Sequence, residues 1–218
     1  MKAASIWARA GRITTLMGRN GSGKTTMLRI AVGELRKDTG IVRFLSEAYE
    51  RPRLPILARR GLYYLEERAR LPATFQIGTQ LGCLRKRFGG PTFDDVVARL
   101  GLEPHLQKRF DELSGGEGRR AALAAALIRQ PKCLLADEPF YGIAPKDQRL
   151  IGSALRELAA AGTAIIATGH EVEALLSISD EVVWCVAATT HSLGGPDEAR
   201  AHREFVREYL GWHLHSPN

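Results

Sequence analysis

Residues 18–25 read Gly18-Arg19-Asn20-Gly21-Ser22-Gly23-Lys24-Thr25, and they satisfy the phosphate-loop pattern G-x-x-x-x-G-K-[ST] at every fixed position. Upstream, RITTLM (Arg12 to Met17) is β-branched and apolar; downstream, KTTMLRIAVGEL has helical texture. A strand running through a glycine turn into a helix is the setting the pattern requires. Glycines let the backbone curl with its N–H groups facing inward, and a helix starting near Lys24 adds its positive end to the same point. Lys24 is placed to reach the β- and γ-phosphates of a nucleotide, and the Thr25 hydroxyl to bind Mg2+. Gly18 to Gly23, with Thr26, form the rest of the cradle.

Working outward, IVRFL (Ile41 to Leu45) and GLYYL (Gly61 to Leu65) read as strands joined by a Pro- and Arg-rich connection. From Arg68 to Gln130 the texture is helical, with capping boxes at Thr92/Asp95 and Ser114/Glu117, a stop at Gly101 and another at Pro131. Then CLLA, TAIIAT and EVVWCVA are short buried strands alternating with helices at Pro145 to Ala161, Glu171 to Ser177 and Asp197 to Leu210. Alternation of this kind predicts an α/β fold with a mostly parallel sheet. The expected organisation is one domain over 1–218, its core at 1–67 and 131–218 and a helical subdomain at about 68–130.

The chain has 218 residues and 44% hydrophobic content, enough for a substantial core and unlike a disordered chain. No apolar stretch reads as a transmembrane helix, and the first residues lack the apolar middle of a secretory signal, so the expected compartment is the cytoplasm. Cys83, Cys133 and Cys185 are far apart and read as reduced, with neither disulfide nor thiolate metal site. His213 and His215 read as a solvated tail pair rather than a metal site, and Arg51, Arg53, Arg59 and Arg60 as solvated. The net charge of +7 is polarised: residues 1–130 carry 24 basic and 12 acidic side chains, residues 131–218 carry 7 and 12. A basic half admits nucleotide, lipid headgroups or an acidic partner.

Two further motifs decide among phosphate-loop proteins. KCLLADE (Lys132 to Glu138) places Asp137 and Glu138 at a strand's carboxyl end, where ligands bind in open α/β sheets; the pair could hold Mg2+ and serve a water, or merely cap the next loop. LSGGE (Leu113 to Glu117) heads a helix, with Ser114 as cap and Gly115 and Gly116 exposing N–H groups. Together these motifs make the sequence resemble the ATP-binding subunit of ABC transporters, over nearly its whole length. The resemblance implies a P-loop ATPase that uses ATP and Mg2+ and dimerises, with itself or another cassette, around two ATP molecules. It implies Thr25 and Asp137 on Mg2+, Glu138 and His170 in catalysis, and Ser114, Gly115 and Gly116 on the γ-phosphate held by the opposite subunit. It also implies a separate transmembrane permease subunit, peripheral attachment at the membrane's inner face, and no nucleic-acid partner.

Three departures from the family pattern stand out. The family's adenine-stacking strand has no counterpart before Gly18, so the N-terminal antiparallel part reads as truncated; Trp7, the one upstream aromatic, suits an apolar strand position better than stacking. The family's glutamine aligns with Glu67, which predicts slower or more Mg2+-dependent turnover. The aspartate before the last proline of EPFYGIAP is Ala144, which predicts weaker coupling between sites. Two rival readings stand beside this one: a related ATPase docking nucleic acid or cluster-assembly partners through the basic half, and a nucleotide-binding regulator without turnover.

Overall fold

A computed structural model describes residues 4–68 and 71–211; His213 and His215 lie outside them. The central sheet has six strands in the order β4-β5-β6-β1-β7-β8. These are β1 (Ile13–Met17), β4 (Leu62–Leu65), β5 (Cys133–Ala136), β6 (Ala164–Gly169), β7 (Glu181–Val186) and β8 (Thr189–Gly194). The first five are mutually parallel, and β8 returns antiparallel against β7. β1 sits between β6 and β7, and all five of its residues are buried, as a strand covered on both faces requires.

Register decides where the loops emerge. Met17 pairs with Gly169, Ala136 with Ala167 and Leu65 with Ala136, so the carboxyl ends of four parallel strands lie in one row. The loops that leave them carry Gly18, Glu66 and Glu67, Asp137 and Glu138, and His170. This is the sheet end where α/β proteins bind ligands.

Helix α1 (Lys24–Val32) starts directly after the glycine loop and stops at Gly33, which takes φ 83°. A side chain there would put its Cβ 1.9 Å from the Pro52 carbonyl, so only glycine fits. The segment between the first and fourth strands departs from expectation. Besides β2 (Val42–Phe44), it contains β3 (Glu47–Tyr49), antiparallel to β2, and the short helix α2 (Leu54–Arg59). Pro55 sits in the first turn of α2, where a missing N–H costs nothing, so the proline that reads as a linker signal is a helix start.

The helical segment comprises α3 (Ile77–Phe88), α4 (Phe93–Arg99), two 3-10 turns and α5 (Gly115–Arg129). Thr92 caps α4 through the Asp95 N–H, without the reciprocal half of the predicted box. Ser114 and Glu117 form both halves of theirs. Every residue of α5 from Gly118 to Ile128 is buried, Arg119 and Arg120 among them. Helices α6 (Pro145–Ala160) and α7 (Val172–Ile178) complete the crossovers.

The predicted closing helix is broken. It splits into α8 (Pro196–Ala201), α9 (Arg203–Phe205) and a π-helical turn at Val206–Leu210. His202, in extended conformation, ends α8 and accepts the Phe205 N–H on its Nδ1 at 3.2 Å, so it caps a new start instead of continuing the old helix. Trp7 is also misplaced by the strand expectation: residues 4–9 form no strand, and the ring is 46% exposed.

Candidate nucleotide site

The glycine loop is held from behind by β7. A Cβ on Gly18 would lie 2.2 Å from the Cys185 carbonyl oxygen, and the Cys185 thiol donates to the Ser22 carbonyl at 3.2 Å. Gly21 and Gly23 take positive φ, which curls the chain towards the start of α1. Lys24 is 5% exposed and donates to the Gly18 and Arg19 carbonyls at 2.7 and 3.3 Å. Burial pulls its pKa down against the opposing pull of Glu138, whose Oε1 is 4.0 Å away.

The end of β5 supplies Asp137, almost wholly buried. Its Oδ1 accepts from the Thr25 hydroxyl at 3.1 Å and from the Thr168 hydroxyl at 2.6 Å; its Oδ2 accepts from the Tyr64 hydroxyl at 3.4 Å. Thr168 in turn accepts the Glu138 N–H at 3.1 Å. Thr168 was not among the residues singled out in the sequence; its place as the last residue but one of β6, two before His170, is the signal that identifies it.

Glu138 adopts φ 50°, an uncommon conformation for a non-glycine residue, which turns its carboxylate off the line of the strand. Its Oε2 lies 3.0 Å from His170 Nδ1, and His170 Nε2 lies 3.3 Å from Glu171 Oε2. The imidazole is thus held between two carboxylates, with the Tyr141 ring 5.5 Å away. Burial pushes the Glu138 carboxyl above the usual range, opposed first by His170 and then by Lys24. Glu171 is likewise raised by burial.

Glu67 reaches this group through α5. Arg119 is buried and donates to the backbone carbonyls of Glu66, at 2.7 Å, and of Glu67. Its charge faces Glu67, Asp137 and Glu138, in that order of strength, and burial depresses its pKa. Sequence reasoning missed Arg119, because nothing in a helical heptad marks which arginine turns inward. Ser114 bonds locally: its hydroxyl accepts the Glu117 N–H and its own N–H donates to Glu117 Oε2 at 3.0 Å. Ala144 precedes Pro145 at the start of α6 and provides no side-chain cap. Beside the loop, a cavity of about 540 Å3 is lined by Arg19 to Ser22 and by Trp184 to Ala188.

Among the described residues no group of three or more His, Cys, Asp or Glu could hold a metal ion. The donors present are the Thr25 hydroxyl and the Asp137 carboxylate. One carboxylate and one hydroxyl, all oxygen, suit Mg2+ completed by phosphates and water. The fold and site define a phosphate-loop nucleotide-binding α/β protein.

Comparison with known proteins narrows that class. The ABC transporter family model matches residues 1–141. The zinc import ATP-binding protein ZnuC of Halorhodospira halophila is 32% identical over 94% of this chain and 74% of its own length. The spermidine/putrescine import ATP-binding protein PotA of Mycoplasma capricolum is 30% identical over 97% of the chain and 62% of its own length. The lipopolysaccharide export ATP-binding protein LptB of Escherichia coli K12 is 29% identical, over 95% and 89%. The chain therefore belongs to the ABC transporter family, as an ATP-binding cassette with ATPase chemistry. In fold it is similar to an ADP-bound cassette at TM-score 0.78 and 20% identity, covering 98% of this chain and 91% of that one. A dimeric post-hydrolysis cassette bound to ADP and phosphate superposes at TM-score 0.74, with 88% and 90% covered at 20% identity. Among the described residues no helix is long and apolar enough to cross a membrane.

Proposed function

We propose that this chain is a motor subunit that dimerises around ATP and powers transport through a separate transmembrane permease, attached peripherally at the membrane. The observation that carries the reading is the contact chain Lys24, Glu138 and His170, beside Thr25, Asp137 and Thr168, at one sheet end. The loop amides and Lys24 bind the phosphates, with Lys24 released from the Gly18 and Arg19 carbonyls as it does so. Thr25 and Asp137 hold Mg2+, which supplies charge neutralisation of the phosphate oxygens when bound. Glu138 accepts a proton from the attacking water; His170 orients Glu138 through Nδ1, and its Nε2 exchanges the neighbouring Glu171 carboxylate for the γ-phosphate. Ser114, Gly115 and Gly116 complete the partner cassette's site, offering N–H groups at a helix start to its γ-phosphate. Arg119 offsets the extra negative charge that Glu67 brings where the family carries glutamine.

The test is Glu138→Gln. Turnover should fall by about 10² to 10⁴-fold, while ATP drives the variant into a stable dimer seen by analytical ultracentrifugation. Unchanged turnover would reject the assignment.

A further inference from the structure

The C-terminal turn of the described residues reaches back to the nucleotide loop. Val206–Leu210 is π-helical, a rare geometry found frequently at functional sites, and within it Tyr209 is fully buried. The ring is set by packing: Phe205 lies 5.3 Å from it, and Trp184 of β7 meets Phe205 edge-on at 5.8 Å. At its far end the hydroxyl donates to the Gly169 carbonyl at 3.4 Å, and its oxygen takes a hydrogen bond from the Gly18 backbone. Burial pushes the pKa above that of a free phenol, so the hydroxyl keeps its proton to donate. Beside it, Arg19 donates to the Glu208 carbonyl at 2.7 Å. The first two residues of the glycine loop are thus both tied to this turn.

Gly18 and Gly169 are also where the ladder between β1 and β6 comes to its end. Ile13 pairs with Ile165 and Met17 with Gly169, and the Ile165 N–H donates to the Arg12 carbonyl. Bonds of a parallel ladder are evenly spaced and recur at every second residue, so the next rung would run from the Gly18 N–H to the Gly169 carbonyl. Here the strands part, β1 into the glycine loop and β6 towards His170. The Tyr209 hydroxyl stands in the fork, accepting from one group and donating to the other. Both glycines are buried, and without the hydroxyl these two backbone groups would lack a partner. Phenylalanine would fill the same space and offer neither half of the rung.

We propose that Tyr209 is a positioning residue for ATP hydrolysis: its hydroxyl replaces the last rung between β1 and β6 and so fixes the base of the phosphate loop against the segment that carries His170. The inference rests on the reading of the site above and deepens it, since the effect passes through His170, which faces Glu138 and Glu171. ADP is held by the loop amides and Lys24 and needs no fixed distance to His170. The γ-phosphate must meet both. Loss of the rung therefore shows in turnover before it shows in binding.

Tyr209→Phe keeps the ring and its contact with Phe205. It should lower kcat about tenfold, with KM for ATP and Kd for ADP within about twofold of the parent. Amide exchange followed by mass spectrometry should speed up in the peptide covering Met17 to Asn20 and stay parental in peptides from α3 and α4. In a His170→Ala background the same substitution should lower kcat by no more than about twofold further, because two residues acting through one contact do not add. Parental kcat and exchange in Tyr209→Phe overturn the proposal. So does faster exchange with unaltered kcat, which would leave the hydroxyl a purely structural role, and so does a full tenfold loss repeated in the His170→Ala background. Parental turnover in His170→Ala alone would reject the reading of the site itself, a result obtained without touching Tyr209.

Discussion

At the residue scale, Glu138 combines an uncommon backbone conformation with a buried carboxylate facing Lys24 and His170. Its folded-state pKa lies above the ordinary 4.5 because burial outweighs the opposing pull of His170 and Lys24. The folded chain therefore holds this proton more tightly than the unfolded chain does. Stability is lost from this group as pH rises from its ordinary value through its raised one, and above that the cost is fully present. Glu138→Gln removes the cost. In thermal melts without nucleotide the variant should gain melting temperature over the parent at pH 7.5, and the gain should shrink at pH 4.5. The motif around Glu138 was legible because its residues are contiguous: Asp137 follows an apolar strand and Glu138 follows Asp137. Thr168 and Arg119 were not, since they act through space on residues 30 or more positions distant.

At the element scale, α1 depends on how it ends as much as on how it begins. Gly33 takes φ 83°, its N–H bonds back to Ile30 and that of Glu34 to Arg29, and the Pro52 backbone packs where a Cβ would stand. Gly33→Ala combines left-handed strain with overpacking against backbone that cannot swing aside. It should destabilise the chain by about 3 kcal/mol, measured by urea denaturation, with the slope unchanged. Long periodic elements with caps, such as α5, could be read directly. Three others could not: α2 hides behind Pro55, β8 (TTHSLG) alternates too weakly in polarity to declare a strand, and the run from Asp197 looks continuous although His202 interrupts it. In each case a tertiary partner or a local cap overrides the pattern.

At the scale of the whole molecule, the parallel register does most of the work of assembling the site. Once β1, β4, β5 and β6 stand side by side, four loops distant in sequence share one end of the sheet. The strand order itself was not readable, because alternation predicts a parallel sheet without saying which strands are neighbours.

The ring cluster at the sheet's edge carries an optical consequence. Trp184 lines the cavity beside the glycine loop, is 6% exposed, and packs edge-on against Phe205 at 5.8 Å. His191 and His202 lie 6.0 and 6.3 Å from it. An indole in that setting emits to the blue of the exposed Trp7. Adding ATP should change the blue component of the emission, and Trp184→Phe should abolish that response. The molecule thus contains its own fluorometer for the state of the phosphate loop.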